Sequence, residues 1–147
     1  MYGAGIIEEL QEKVIDGSGH MYYVMRIPIG NLKIMVSVKN ADSAGIRKVM
    51  NSRTLISTID GVKSKPVAMN PNWNQRYKDN MEKIKSGDMS EVAEVFRNLR
   101  QREREKGLSS AEKKMLSTVK QIILSEIILS HGVEKPEAEA ILDKVIA

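Results

Sequence analysis

The chain has 147 residues and a mass of 16.5 kDa; 41% of its residues are hydrophobic and 29% are charged, which is typical of a folded globular protein rather than a disordered one. It contains no cysteine, which excludes disulfide frameworks, thiolate chemistry and zinc or iron–sulfur sites with cysteine ligands. The formal net charge is +4, with 12 basic and 8 acidic residues in 71–125, so an anionic partner such as nucleic acid is a reasonable expectation.

The first 38 residues have the pattern of strands. Short β-branched runs between residues 5 and 38 are separated by turn residues. Residues 16–19 (DGSG) and 30–31 (GN) are hairpin signals, because glycine, asparagine and aspartate tolerate positive φ. We expect three or four antiparallel strands in a small sheet or barrel, and a short helix beginning near Ser52.

The rest of the chain has the pattern of helices. Residues 61–70 contain Gly61, Ser64 and Pro66 without an apolar period and are predicted to be a linker. Ser109 and Glu112 have the spacing of a capping box that opens a long helix. The sequence therefore predicts an α+β fold. A small antiparallel β module spans residues 1–60, the linker spans 61–70, and a compact all-helical domain of about four helices spans 71–147.

Export and membrane signals are absent from the sequence. No basic segment followed by an apolar one opens the chain, and the longest apolar stretch, around residues 121–129, is interrupted by Ser125 and Glu126. We therefore expect a cytoplasmic protein.

Combinations of side chains typical of enzymes are mostly absent as well. His20 and His131 have no second histidine or carboxylate at ligand spacing. Gly3 and Gly5 precede a strand, whereas a phosphate-binding loop joins a strand to a helix. We predict no enzyme activity, no cofactor and no metal.

Trp73 is the only tryptophan and lies among polar residues. A core tryptophan usually has apolar neighbours three and four positions along its helix, and here those positions hold Arg76 and Tyr77. Two interpretations stay open. Trp73 could pack between the two modules, or it could be an exposed wedge that inserts at a base step while Arg76 and Lys78 hold phosphates.

The basic residues between 97 and 106 alternate with acidic ones at a predicted helix end, where cations complement the helix dipole. Lys113 and Lys114 lie just inside the next helix, so the turn around Gly107 brings two basic clusters to one corner. This corner could be an exposed, salt-bridged helix end or a binding site for a phosphate backbone.

Several segments are specific enough to compare with a family. They are residues 2–9 (YGAGIIEE), 32–36 (LKIMV), 40–42 (NAD), 72–77 (NWNQRY), 82–88 (EKIKSGD), 91–95 (EVAEV), 105–109 (EKGLS) and 112–116 (EKKML). In colinear order over nearly the whole chain, they resemble the CarD/CdnL family of bacterial transcription regulators.

This resemblance implies a function for each module. The N-terminal module would be Tudor-like and bind the β subunit of RNA polymerase, as the equivalent module of the transcription-repair coupling factor does. The helical domain would lie on promoter DNA at the upstream edge of the transcription bubble. The family's tryptophan matches Trp73 and wedges into the minor groove there, which supports the open complex. Arg76, Lys78, Lys113 and Lys114 would hold backbone phosphates without reading sequence.

For the polymerase contact, the resemblance points to Lys13 and to Lys33 and Met35. Small β modules often recruit partners by edge-strand pairing, and we expect Lys13, Val14 and Ile15 to form that edge.

The chain departs from the family pattern in three places. Members usually begin with one more strand before the segment that matches residues 2–3. Either the start is truncated here or that strand is absent, and an open sheet edge would result. Met35 stands where some relatives carry a basic residue. Gln75 replaces a common arginine, which removes one expected phosphate contact.

Two other functions stay open at this stage. A Tudor-like peptide-binding module without a DNA role would need an aromatic cage, for which the β module offers Tyr2, Tyr22 and Tyr23. A free-standing DNA-binding protein would need a larger basic excess. The leading prediction is a non-enzymatic regulator that bridges RNA polymerase and promoter DNA.

Overall fold

The computed structural model describes residues 3–41, 46–67 and 69–146. Tyr2 and residues 42–45 of the predicted loop lie outside the described residues. Three strands and five α-helices occur in the described ranges, which confirms the predicted α+β fold. They are β1 (Ile6–Ile15), β2 (Ser18–Ile27), β3 (Leu32–Ser37), α1 (Ser52–Gly61), α2 (Trp73–Lys85), α3 (Met89–Glu105), α4 (Ser110–His131) and α5 (Lys135–Ile146).

The strands form an antiparallel sheet in the order β1-β2-β3. Asp16 and Gly17 connect β1 to β2 with φ of 50° and 78°, the left-handed values that a two-residue hairpin turn requires. Gly30 and Asn31, with φ of 80° and 50°, precede β3. Both predicted hairpins are therefore confirmed, and β1 and β3 are the two edges of the described sheet.

The sheet has little core of its own. Every residue of β1 is exposed, and the buried apolar side chains of the sheet are Val24 and Ile27 of β2. Five apolar side chains of β1 are 42–71% exposed: Ile6, Ile7, Leu10, Val14 and Ile15. A three-stranded sheet needs a packed face to be stable, so this one depends on neighbouring elements or on a partner.

The main core lies among the helices, with α4 packed against α1, α3 and α5. Leu55 and Ile59 of α1 are fully buried in it. Sequence analysis assigns α1 to the β module by its position in the chain, but the apolar side of this helix packs with the helical unit. The packing boundary between the sheet and the helices therefore precedes Ser52.

Residues 61–67, predicted to be a linker, are held against α3. The guanidinium of Arg97 donates hydrogen bonds to the carbonyls of Val62, Lys65 (2.6 Å) and Pro66 (3.3 Å). The side chain of Val62 is fully buried in the helical core. The segment thus packs as part of the helical unit.

Two contacts join the N-terminal part of the chain to α4. Arg47 donates from both Nη atoms to the buried carboxylate of Glu126, at 2.9 and 2.8 Å, and this hydrogen bonding raises the pKa of Arg47. The N–H of Ala4 donates to Ser125 Oγ at 2.7 Å. A Cβ on Gly3 would lie 2.3 Å from that same oxygen, so only glycine allows this close approach. Together, these contacts hold the segment that leads into β1 and the segment that precedes α1 against α4.

Among the described residues, no helix is both long and apolar enough to cross a membrane.

Candidate nucleic-acid interface

Trp73 is the first residue of α2. Asn72 caps the helix, because its side chain accepts a hydrogen bond from the N–H of Gln75 at 3.1 Å. The tryptophan is 43% exposed. A large aromatic side chain is therefore presented at a helix N-terminus.

One side of the Trp73 ring is fixed by protein contacts. Its Nε1–H donates to Ser109 Oγ at 3.1 Å, and the ring stacks on Tyr77, one turn along α2, with centroids 5.7 Å apart and planes at 20°. The position of Trp73 therefore matches neither of the two interpretations of the sequence completely, the packed residue or the fully exposed wedge. It is not a core residue, yet its orientation is set by two neighbours while much of the ring faces solvent.

Ser109 links this tryptophan to the start of α4. Its Oγ accepts from the N–H of Glu112 at 3.2 Å, which makes it the N-cap of α4, as predicted from the capping-box spacing. The same oxygen lies 3.3 Å from Glu112 Oε1. The indole, the cap and the carboxylate of Glu112 are thus joined in one hydrogen-bond network.

A buried ion pair continues this network back to α2. Arg76 and Glu112 are 3% and 2% exposed, with Nε–Oε2 at 2.8 Å and Nη2–Oε1 at 3.1 Å. The hydrogen bonds from Arg76 lower the pKa of Glu112. Nη1 of Arg76 donates to the carbonyls of Asn70 and Pro71, at 3.1 and 3.2 Å. The pair therefore holds the segment that leads into Trp73 against α4.

Arg76 does not lie where a phosphate contact would need it. Sequence analysis places Arg76 on the surface beside Trp73, whereas its guanidinium is inside the protein and bonded to Glu112. The helix period explains the difference: Arg76, Asn80 and Ile84 lie on the buried face of α2.

Three predicted phosphate contacts are exposed lysines. Lys78 lies in α2, and Lys113 and Lys114 lie in the first turns of α4, directly after the Ser109 cap. No described carboxylate forms an ion pair with these ammonium groups. The structure thus brings Lys113 and Lys114 within about one helical turn of the residue that anchors Trp73.

The predicted polymerase contacts lie on both edges of the sheet. Lys13, Val14 and Ile15 are exposed on β1, and Lys33 and Met35 are exposed on β3. Lys13 pairs with His20, and Met35 pairs with Val24, so Lys13, Ile15, Lys33 and Met35 share one face. Val14 lies on the other face.

Comparisons with known proteins agree with this architecture. Residues 57–143 match the family described as CarD, C-terminal domain, and residues 1–50 match the CarD-like/TRCF RID domain. A Bacillus subtilis (strain 168) protein named "Putative transcription factor YdeB" is 34% identical over 140 residues, which cover 95% of this chain and 92% of that protein.

The chain belongs to the CarD family. The resemblance found in the sequence is confirmed, and the protein is a CarD-like transcription regulator. The CarD family is a family of transcription factors rather than of enzymes. Within the described ranges, no group of three or more histidine, aspartate or glutamate side chains could hold a metal ion.

The aromatic cage of the peptide-binding alternative does not form from the described tyrosines of this CarD-family chain. Tyr22 and Tyr23 are consecutive in β2 and therefore point to opposite faces of the sheet. The third candidate, Tyr2, lies outside the described residues.

Sequence reasoning missed that Ser109 and Tyr77 orient Trp73, and that Glu112 is buried with Arg76. Two signals were present. Tyr77 is four residues after Trp73, the spacing at which helical side chains meet. The capping box singled out Ser109 and Glu112, but a one-dimensional pattern does not show that the cap of one helix contacts the start of another.

Proposed function

We propose that this protein stabilises the promoter open complex while bound to the β subunit of RNA polymerase. The β module contacts polymerase, the helical unit lies on promoter DNA at the upstream edge of the bubble, and Trp73 wedges into the minor groove at that fork. The observation that carries the DNA half of this proposal is the exposed, oriented ring of Trp73, which is held by the residue that caps the helix carrying Lys113 and Lys114.

The wedge works by preference for one state of the DNA. Partly unstacking a base step costs a few kcal/mol, and the step at a melted fork is already open. A group that binds the open fork better than the closed duplex shifts the equilibrium by that difference. Because Ser109 and Tyr77 already hold the ring, little side-chain entropy is lost on binding.

Lys78, Lys113 and Lys114 supply contacts to the phosphates on either side of the wedge. They read no sequence, so affinity for DNA alone is weak and depends on salt. Arg76 takes a positioning role in this proposal: through Glu112 and the carbonyls of Asn70 and Pro71, it keeps Trp73 in place.

For polymerase, we propose that β1 pairs along its free edge with a strand of the β subunit. The backbone of the edge strand gives affinity, and Lys13, Val14 and Ile15 give selectivity. Lys33 and Met35 share a face with Lys13 and would contact the same partner from above the sheet. The exposed apolar side chains of β1 fit a surface that is covered in a complex.

Binding of labelled promoter DNA, with and without RNA polymerase holoenzyme, tests this function. We expect weak binding by the protein alone and strong recruitment with polymerase. Replacing Lys113 and Lys114 by alanine should reduce the slope of log K against log salt by about two, since each phosphate contact contributes about 0.9. Lys144→Ala in α5 is the matched control and should leave the slope unchanged.

Tight binding by the protein alone would favour a free-standing DNA-binding protein instead. If the slope of log K against log salt is the same for the double variant and the wild type, Lys113 and Lys114 do not contact DNA.

A further inference from the structure

A short segment before β1 contacts both the sheet and α4. A Cβ on Gly3 would lie 2.3 Å from Ser125 Oγ of α4. A Cβ on Gly5 would lie 2.9 Å from the carbonyl oxygen of Arg26 in β2, so the absence of both side chains lets the segment fit between the two. Between the glycines, the N–H of Ala4 donates to Ser125 Oγ at 2.7 Å. Neither the family comparison nor the proposed function assigns a role to this segment.

A second connection reaches the next residue of α4. Both Nη atoms of Arg47 donate to the buried carboxylate of Glu126, and its Nε donates to the carbonyl of Gly87, in the turn between α2 and α3, at 2.6 Å. Ser125 and Glu126 are the two polar residues that interrupt the longest apolar stretch of the sequence, so both connections end at one polar point of α4. We call these contacts, of Ala4 with Ser125 and of Arg47 with Glu126, the junction.

Beside the junction, a cleft of about 610 Å³ lies between the sheet and the helices. Apolar side chains line it from both sides: Met25, Ile34 and Val36 from the sheet, and Ile84 and Val92 from the helical unit. Two units of a chain move relative to one another unless a large apolar interface joins them. The cleft reduces that interface here, so the angle between the sheet and the helical unit depends on the few polar contacts of the junction.

We propose that the junction sets the angle between the β module and the helical unit, and thereby positions Trp73 at the fork once the β module is bound to polymerase. This inference rests on the proposed function, in which one chain bridges two sites of a single assembly. The second contact of such a bridge forms at an effective concentration that depends on geometry and falls when the connection loosens. The residues of the junction are positioning residues, because none of them belongs to the surfaces proposed to contact polymerase or DNA.

A purely stabilising role for the junction makes a different prediction. A variant that is only less stable still has the native angle in its folded molecules, and it acts normally wherever it is folded. A variant with a loosened junction is folded, binds each partner separately, and bridges them poorly. The two roles are therefore separated by measuring the angle and the bridging function in folded variants.

The first test measures the separation of the two units by double electron–electron resonance between spin labels. The chain contains no cysteine, so His20→Cys in β2 and Glu103→Cys in α3 place one label on each unit. We expect a narrow distance distribution in this background and a broader or shifted one when Ser125→Ala and Glu126→Gln are added. Ile59→Val, in the helical core, is the control for lost stability: it should lower the urea midpoint and leave the distribution unchanged.

The second test compares the lifetimes of open complexes formed by bacterial RNA polymerase on a promoter. The variant with both Ser125→Ala and Glu126→Gln should lose about tenfold of the lengthening that the wild type produces. Its affinity for polymerase alone and for promoter DNA alone, measured separately, should stay at the wild-type value. Ile59→Val should lengthen the lifetime as the wild type does.

An unchanged distance distribution, or an unchanged effect on the lifetime, in the double variant would overturn the inference. So would a loss of affinity for polymerase alone or DNA alone, because the junction would then act on a binding surface rather than on the angle. Should the double variant fail to fold, as judged by circular dichroism, Ser125→Ala alone is measured in both tests with the same expectations. A wild type that does not lengthen the lifetime would contradict the proposed function, and the distance distributions still decide whether the junction sets the angle.

Discussion

Removing the charge of Glu112 is expected to destabilise the protein strongly. Glu112→Gln leaves the buried guanidinium of Arg76 without its counter-ion, and breaking a buried pair from one side typically costs about 3–5 kcal/mol. Glutamine retains one acceptor for Arg76, so we expect the lower end, about 3 kcal/mol at pH 7. Urea unfolding followed by circular dichroism measures this loss.

The pH dependence gives a sharper test of the same pair. Arg76 holds the pKa of Glu112 below its ordinary value of 4.5. The charged carboxylate therefore contributes stability that is fully present above pH 4.5 and is lost as the pH falls through the lowered pKa. The difference in unfolding free energy between the wild type and Glu112→Gln should be largest at neutral pH and shrink below pH 4.5.

Two further variants complete this experiment. Glu103→Gln, a change at an exposed glutamate, should alter stability by less than about 0.5 kcal/mol. Replacing the whole pair by apolar residues, with Arg76→Met and Glu112→Leu together, should recover much of the loss, because no charge is then left buried. A difference between the wild type and Glu112→Gln that stays constant from pH 7 to pH 3 would refute the reasoning.

Two other predictions concern the junction between the sheet and α4. Gly3→Ala should lower the urea midpoint because its Cβ would lie 2.3 Å from Ser125 Oγ. Gly17 has a similar positive φ but nothing within 4 Å, so Gly17→Ala should lower stability only by the strain of alanine at that φ. Equal losses of stability in the two variants would contradict the packing argument. Glu126→Gln removes the counter-ion of Arg47. Because the side chain of Arg47 is 34% exposed and can be solvated, the loss should be smaller than at the buried pair, about 1–2 kcal/mol. The change should also speed hydrogen exchange at the N–H of Met50, which donates to this carboxylate at 3.0 Å, and unchanged exchange would contradict the proposed junction.

The local parts of the fold could be predicted from the sequence because they depend on neighbouring residues. The hairpin at Asp16 and Gly17 follows from two adjacent residues that tolerate positive φ, and the cap at Ser109 follows from its spacing to Glu112. The place of α1 could not be predicted in this way. Its apolar side is visible in the sequence, but which unit covers that side depends on long-range packing.

The site was only partly predictable for the same reason. Trp73 stood out by its polar surroundings, and the lysines stood out by charge. The pairing of Arg76 with Glu112 joins residues 36 positions apart, so the sequence does not show it. From sequence alone, a basic residue near a tryptophan could be a phosphate contact or the partner in a buried ion pair. Only the helix phase, fixed by the packing of α2, shows that Arg76 faces inward.

The lifetime of open complexes formed by bacterial RNA polymerase on a promoter tests the central claim most directly. Lifetimes are compared without the protein, with the wild type, with Trp73→Ala and with Trp73→Phe, each confirmed to be folded by circular dichroism. The account predicts that the wild type lengthens the lifetime and that Trp73→Ala loses roughly 5- to 150-fold of this effect, equivalent to about 1–3 kcal/mol of aromatic stacking. Trp73→Phe, which keeps a ring, should lose less. Equal lifetimes with the wild type and Trp73→Ala would contradict the wedge.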